Sequence, residues 1–229
     1  KICGTIMIKA VVFDMDGVIA DTEPLHEKAR NALLESLGLD VEQLSPQAIG
    51  RSKRSFWSEI SQKFNLKESG DELTLREFDM IMRIAKESHL KPSQGMKELL
   101  EFLEREKIKA AVASSSDRNY VEKILALTDL GGYFCVTACG DEVPCAKPAP
   151  DVYLKALKGC GVNASEALAV EDSDTGARAA EAAGIPCIAY DAVEDERLRQ
   201  NFNICSYKVK KISDIVNIIK GAKAKSYAI

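Results

Sequence analysis

Short runs of β-branched and other apolar residues alternate with longer helical patterns along much of the chain. Between the apolar runs, hydrophobic residues recur at helical spacing, as they do at Met96, Leu99, Leu100 and Leu103. This alternation is typical of an α/β fold, a doubly wound parallel sheet with helices packed on it. The predicted strands are Ile8 to Phe13, Ile108 to Ala113, Phe134 to Thr137, Ala167 to Val170 and Ile185 to Tyr190.

The stretch from residue 21 to residue 91 breaks this rhythm. It contains helical patterns at Pro24 to Leu37, Phe56 to Phe64 and Leu73 to Ser88, without a convincing strand. We therefore predict a small all-helical cap domain inserted after the first strand. Ligands of doubly wound sheets bind beyond the carboxyl ends of the strands, which is where this insertion leaves the core.

The predicted domain boundaries follow from these patterns. They are 7–20 and 92–221 for the α/β core, 21–91 for the cap, and 1–6 and 222–229 for terminal extensions.

Composition narrows the range of partners. The chain has 229 residues, 46% of them hydrophobic, and a formal net charge of -4, with basic residues scattered rather than clustered. This charge pattern offers no footprint for nucleic acid or for an anionic membrane. No apolar stretch approaches the roughly 20 residues that cross a bilayer, and residues 1–5 lack the apolar core of a signal peptide. We expect a cytoplasmic protein, monomeric or weakly dimeric, that binds a small molecule.

The cysteines indicate a reduced protein. There are seven of them, an odd number, with no CxxC pair and no histidine nearby, so neither a disulfide framework nor a zinc site is expected. Cys135 and Cys187 lie in apolar runs, where free cysteine is expected to pack as a small hydrophobic residue.

Two carboxylates, Asp14 and Asp16, follow the first predicted strand and are themselves followed by Gly17. An acidic turn is one interpretation, since Asp and Gly are common turn residues. Like charges this close repel each other unless a cation or a shared proton relieves them. A hard metal ion is therefore the second interpretation, and the pair Glu171-Asp172 repeats the device at the end of another predicted strand.

Hydroxyl groups and one lysine follow two further segments. Ser114, Ser115 and Ser116 come after the second predicted strand, just before a helix expected to begin near Asp117. They suit either a helix N-cap or the oxygens of a phosphate group. Lys147 precedes Pro148 and a helix expected from about Pro150. It is either a solvated surface charge or a cation held in an extended segment and aimed at a phosphoryl group.

Together these segments resemble the four motifs of the haloacid dehalogenase superfamily. The resemblance rests on Asp14-Met15-Asp16-Gly17-Val18, Ser114, Lys147 and Glu171-Asp172, in that order with a helical insertion after the first, and it spans residues 8–190. The segments Asp21 to His26 and Lys147 to Tyr153 are similar to the branch that contains small phosphatases and β-phosphoglucomutase.

The resemblance implies a role for each motif. Asp14 would attack phosphorus and form an aspartyl phosphate, and Asp16 would act as general acid and base. Ser114 and Lys147, with Ser115 as the neighbouring choice, would bind the phosphoryl oxygens. Mg²⁺ would be held by Asp14, by the main-chain carbonyl of Asp16 and by Asp172, with Glu171 as a nearer or water-mediated neighbour.

The resemblance leaves the substrate and the reaction open. The second acid, Asp16, favours a phosphate ester over a haloacid. Cap residues expected to select the substrate are Glu23, His26 and Lys53, with Arg51 and Arg76 as further candidates. Lys53 stands where β-phosphoglucomutases carry an arginine, which favours a phosphatase acting on a sugar phosphate. A β-phosphoglucomutase, and a receiver-like module that keeps its phosphate, are the alternatives.

Overall fold

The computed structural model describes residues 7–48, 51–192 and 200–224. The chain divides into two compact units. One comprises the residues up to Asp21 and those from Lys91 onward, and the other is Thr22–Leu90. The first unit is the α/β core, and the second is helical. The predicted extension 1–6 lies outside the described residues, as does 225–229.

A six-stranded sheet forms the centre of the first unit. Its strand order is β3-β2-β1-β4-β5-β6, and each neighbouring pair is parallel. The predicted doubly wound parallel sheet is therefore confirmed. The strands are β1 (Ala10–Phe13), β2 (Lys109–Ala113), β3 (Phe134–Ala138), β4 (Ala167–Glu171), β5 (Cys187–Tyr190) and β6 (Tyr207–Val209).

Helices occupy both units. Those of the helical unit are α1 (Glu23–Ser36), α2 (Val41–Leu44), α3 (Lys53–Lys63) and α4 (Gly70–Glu87). Those of the core are α5 (Met96–Arg105), α6 (Arg118–Leu127), α7 (Asp151–Cys160), α8 (Asp174–Ala182) and α9 (Ser213–Ala224). None of the helices in the described ranges is both long and apolar enough to span a bilayer.

The central strands read as continuous apolar runs because both of their faces are buried. All four residues of β1 are fully buried, and Val12 lies in register with Ala111 of β2 and Ala169 of β4. Small alanines at these positions leave room for the helices, and the buried stripe of α7 joins the same core cluster. The sheet thus holds the carboxyl ends of β1, β2 and β4 side by side.

The structure departs from the predicted elements in three places. β6 was not predicted, because its three residues include two exposed side chains and leave no apolar run. α9 continues to Ala224, three residues into the predicted terminal extension 222–229. Cys135 is exposed, so its interpretation as a buried small hydrophobic residue was wrong. It lies on β3, the strand at one edge of the sheet.

The helical unit has a core of its own. Leu33 and Leu34 of α1 pack with Phe56 and Trp57 of α3 and with Leu73 of α4. The Trp57 indole N–H donates to Glu77 Oε2 at 2.6 Å, inside the unit. This core explains why α1, α3 and α4 carry apolar stripes without a sheet to cover them.

We expect Leu73→Ala to lower the free energy of unfolding by about 2–5 kcal/mol, because Leu73 is fully buried and truncation leaves a cavity. The matched control is Leu75→Ala on the same helix, where the leucine is 65% exposed and we expect a change within about 0.5 kcal/mol. Urea unfolding followed by the fluorescence of Trp57, the single tryptophan, measures both. Equal effects of the two substitutions would contradict the described packing.

Candidate active site

Polar residues gather at the carboxyl edge of the sheet. Asp14 directly follows β1, and its N–H donates to the carbonyl of Val170 in β4 at 2.9 Å. Ser114 directly follows β2, and its N–H donates to the carbonyl of Ala138 at 3.0 Å. These backbone bonds extend the sheet by one residue, so the side chains that come next are placed by the sheet itself.

Lys147 joins two of the acidic residues. Its ammonium donates to Asp14 Oδ1 at 2.5 Å and to Glu171 Oε1 at 2.7 Å. The side chain is only 5% exposed, and the Lys147–Pro148 peptide bond is cis. Burial disfavours the charged lysine, but the charges of Asp14 and Glu171 outweigh burial and raise its pKa above the ordinary value. Lys147 is therefore a buried, ion-paired cation rather than a solvated surface charge, and its contact with a phosphoryl group stays a prediction.

Glu171 is the most enclosed member of the group. It is fully buried, and its Oε1 also accepts a hydrogen bond from the Tyr153 hydroxyl at 2.6 Å. The Ser173 hydroxyl lies 3.3 Å from Oε2 and also caps α8 by accepting from the N–H of Gly176. Each of these contacts holds the carboxylate in one orientation.

Two glycines allow the carboxylates to approach the backbone. Gly17 has φ +80°, and a Cβ there would lie 1.9 Å from Asp172 Oδ2. At Gly176, a Cβ would lie 2.0 Å from the carboxyl carbon of Glu171. A larger residue at either position would displace an acidic side chain of the site.

Asp14, Glu171 and Asp172 form an acidic cluster that fits a metal ion. Each offers an oxygen, and these oxygens all lie within 4.8 Å of one another. Burial raises the pKa of Asp14 well above its ordinary value, although Lys147 opposes the rise. Burial and then the charge of Glu171 raise the pKa of Asp172 to about 7. A set of carboxylate oxygens with unbalanced negative charge is the chemistry that Mg²⁺ prefers.

Asp16 is held by two hydroxyl groups. Ser116 Oγ donates to Asp16 Oδ2 at 3.1 Å, and the Tyr120 hydroxyl donates to Oδ1 at 3.1 Å. Both donors come from the segment after β2, so Asp16 is bound from a different side than Asp14. The two neighbouring aspartates therefore have different contacts, since Asp14 pairs with Lys147 and Asp16 accepts from two hydroxyl groups.

The three serines after β2 are placed differently from one another. Ser114 is buried and its Oγ accepts from the N–H of Ser116, whereas Ser115 is exposed. Ser116, which was not among the predicted site residues, is the serine that contacts an acidic side chain. Phosphate binding by Ser114 and Ser115 stays a prediction.

Arg118 links α6 to the end of β3 and to the loop that follows it. Its guanidinium donates to both oxygens of Glu142, at 2.7 and 2.9 Å, and to the carbonyl of Thr137. This pairing is the main reason that the pKa of Glu142 is lowered to about 2. The loop leads on to Lys147, so the ion pair supports the segment that carries the lysine.

Sequence reasoning missed Ser116, Tyr120 and Tyr153. The two tyrosines are buried members of the apolar faces of α6 and α7. Nothing in the spacing indicates that their hydroxyl groups end at acidic side chains. The motif Ser114-Ser115-Ser116 contains the serine that contacts Asp16, but the sequence does not show which of the three it is.

The predicted cap residues lie within the helical unit. Glu23 begins α1 and is exposed, His26 is buried on α1, and Lys53 begins α3. Arg51 pairs with Glu59 at 2.7 Å, and Arg76 pairs with Glu68 at 2.6 Å. Substrate contact by any of these residues stays a prediction.

The arrangement combines groups that suit transfer of an anionic group. A buried carboxylate, Asp14, faces an ammonium that can neutralise incoming negative charge. A second acid, Asp16, lies two residues further along the chain. The cluster of Asp14, Glu171 and Asp172 can hold a cation beside them.

Comparison with known proteins supports this interpretation. Residues 8–184 match the model of a family described as haloacid dehalogenase-like hydrolase. The phosphorylated carbohydrates phosphatase of Thermotoga maritima is 35% identical over 179 residues, which cover 78% of this chain and 82% of that protein. Hexitol phosphatase B of Escherichia coli is 27% identical over 220 residues, covering 91% of this chain and 94% of the relative. The crystal structure of CbbY from Rhodobacter sphaeroides in complex with phosphate has a TM-score of 0.77 and 26% identity, covering 91% of this chain and 96% of that one.

We expect Gly176→Ala to lower the free energy of unfolding by about 1–3 kcal/mol, because the new methyl group must displace Glu171 from Lys147 and Tyr153. Gly221→Ala is the control. It is also a helical glycine, nothing lies within 4 Å of its added Cβ, and helix propensity favours alanine there by up to about 1 kcal/mol. Urea unfolding of the two variants checks the difference, and equal stability would show that Glu171 is not closely enclosed.

Proposed function

The chain belongs to the haloacid dehalogenase-like hydrolase family, and on this basis we propose that it is a Mg²⁺-dependent phosphatase of small phosphorylated carbohydrates. The reaction is hydrolysis of a phosphoric monoester through an aspartyl phosphate on Asp14. The match of residues 8–184 to the family model confirms the family resemblance drawn from the sequence.

The contact between Lys147 and Asp14 is the observation that carries the proposal. A buried carboxylate beside a buried ammonium is poised to attack a phosphoryl group, because the cation stabilises both the carboxylate and the phosphoryl oxygens. Phosphoryl transfer depends chiefly on positioning and on charge neutralisation, which Asp14 at the end of β1 and Lys147 in the loop after β3 would provide.

The residues divide the reaction into two steps. In the first, an oxygen of Asp14 forms a bond to phosphorus, the ester P–O bond breaks, and the leaving oxygen takes a proton from Asp16. In the second, Asp16 takes a proton from water, the water oxygen bonds to phosphorus, and the Asp14–phosphorus bond breaks to release inorganic phosphate. Asp16 thus acts as acid and then as base.

Asp14, the main-chain carbonyl of Asp16 and Asp172 would hold Mg²⁺, with Glu171 as their neighbour. When bound, the ion supplies positive charge to these carboxylates and to the phosphoryl oxygens. Glu171 itself is engaged by Lys147 and Tyr153, so its main task is to orient the lysine.

The names of the relatives support a sugar phosphate or a sugar alcohol phosphate as the substrate. One relative is named for phosphorylated carbohydrates and another for hexitol phosphates. Lys53 carries the same charge as the arginine of β-phosphoglucomutases but lacks the planar fork that grips phosphate with two hydrogen bonds. This difference favours hydrolysis over the mutase reaction.

One assay separates the three hypotheses. The purified protein is incubated with β-glucose 1-phosphate and Mg²⁺, with and without catalytic glucose 1,6-bisphosphate, alongside a panel of sugar and hexitol phosphates. A phosphatase releases inorganic phosphate from at least one of them. Glucose 6-phosphate as the product would instead establish the mutase, and a stable phosphoaspartate without release would establish the receiver-like module.

We expect Asp14→Asn to lower phosphatase activity by about a thousandfold or more, because an amide cannot form the aspartyl phosphate. The control is Asp117→Asn, the same chemical change at an exposed residue whose side chain makes no cap hydrogen bond. Turnover is measured as phosphate release, with circular dichroism to check the fold. Retained turnover in Asp14→Asn would remove Asp14 as the nucleophile.

We expect excess EDTA to abolish phosphate release and added Mg²⁺ to restore it. Because a ligand that binds the folded state stabilises it, Mg²⁺ should also raise the melting temperature of the wild-type protein. The rise should shrink in Asp172→Asn, which lacks one acid of the cluster. Full activity in excess EDTA would contradict the metal requirement.

A further inference from the structure

Two cysteines of the α/β core meet on the side of the sheet where α7 packs against β3. Cys135 Sγ of β3 lies 3.7 Å from Cys160 Sγ, at the last residue of α7. Cys135 is exposed and Cys160 is buried. The sulfur atoms are close enough that side-chain rotation and a small shift would bring them to bonding distance.

A cavity lies beside Cys135, the exposed member of the pair. It has a volume of about 240 Å³ and is lined by Cys135 together with Lys107, Lys109 and Tyr133. The Lys109 ammonium also donates to the main-chain carbonyl of Cys160 at 2.6 Å, so a residue of the cavity lining contacts the second cysteine. The lining also includes Glu104, and the cavity is large enough for a small peroxide.

From this geometry, we propose that Cys135 and Cys160 form an oxidisable pair, which a small hydroperoxide converts into an intramolecular disulfide. Cys135 reacts first, because it is the exposed thiol. Its sulfur attacks one peroxide oxygen, the O–O bond breaks, and Cys135 becomes a sulfenic acid while the peroxide is reduced to water or an alcohol. The Cys160 sulfur then attacks the Cys135 sulfur, the S–O bond breaks, and the oxygen leaves as water with the thiol proton.

The environment of Cys160 supports this order of events. Burial, and next the neighbouring Cys135, raise the pKa of Cys160 to about 12, so this thiol stays protonated and does not compete with Cys135 for the peroxide. Its place beneath the surface keeps it from peroxide but not from the Cys135 sulfur. Cys160 therefore has the position of a resolving cysteine.

The bridge would close the segment that carries Lys147. The two cysteines are 25 positions apart, and Lys147 lies between them along the chain. α7 also carries Tyr153, which donates to Glu171. A covalent link from β3 to the end of α7 would restrict the unfolded chain and hold both ends of this segment, so oxidation is expected to raise the melting temperature.

A second thiol pair provides the internal comparison. Cys187 on β5 is buried, and the hydrogen bond between it and Cys205 is the main reason that the pKa of Cys205 is lowered. Cys205 is only partly exposed, whereas Cys135 is exposed and lines the cavity. Accessibility therefore favours the first pair as the site of oxidation.

The test treats the folded protein with hydrogen peroxide and locates the product by peptide mass spectrometry. We expect the loss of two of the seven thiols, a peptide cross-link between Cys135 and Cys160, and a melting temperature raised on the order of 5 °C. Cys160→Ser should stop the reaction at the sulfenic acid of Cys135, which dimedone traps. Cys135→Ser should give neither cross-link nor dimedone adduct at Cys160.

Cys205→Ser is the matched control, and we expect it to form the 135–160 bridge at the wild-type rate. A cross-link at Cys187 and Cys205 in place of the predicted one would overturn the proposal, as would two thiols that persist through treatment. A bridge that forms without raising the melting temperature would overturn its proposed effect on the segment around Lys147. None of these measurements depends on enzymatic turnover, so they stand apart from the test of the phosphatase.

Discussion

The ammonium of Lys147, shared between Asp14 and Glu171, is the interaction on which the rest of the site depends. Two buried carboxylates so close together would repel each other strongly without a cation, and burial alone would drive them to take up protons. The lysine can be buried in its charged form only because both carboxylates are present to pair with it. Removing one acid would leave an unbalanced charge in a place where water cannot compensate for it. The three residues are therefore best regarded as one unit, carried by three separate segments of the core.

The fold could be predicted from the sequence because the same patterns of apolar strands and apolar helix stripes recur along the chain. Fully buried strands such as β1 must be apolar on both faces, and the helices between them must carry a stripe at helical spacing, so each element supports the assignment of the next. β6 was not predicted, because it is short, lies at the edge of the sheet and has two exposed side chains. Cys135 was misjudged for a related reason: apolar neighbours along the chain do not reveal how much of a side chain stays exposed on an edge strand.

The candidate site was accessible only in part. Strand-end aspartates and a lysine between prolines are visible in the sequence, because charged residues at the end of a buried strand need a reason to be there. Tyr120 and Tyr153 were hidden, since a tyrosine serves an apolar stripe with its ring and an acidic site with its hydroxyl. Only the three-dimensional structure shows where that hydroxyl ends. The choice among Ser114, Ser115 and Ser116 likewise depends on backbone geometry that a run of identical residues cannot encode.

The hydrogen bonds that hold the Asp16 side chain bear on when it would act in the proposed reaction. One oxygen of this carboxylate accepts a hydrogen bond from Ser116 and the other accepts one from Tyr120, so the two bonds hold the group in one orientation. Turning toward a leaving group means giving up at least one of these bonds, each worth about 1 kcal/mol. A bound substrate that offers its own acceptor repays that loss, whereas bulk water competes poorly for a side chain that is already satisfied. In the proposed mechanism, Asp16 would thus stay in place until a substrate offers an oxygen to protonate.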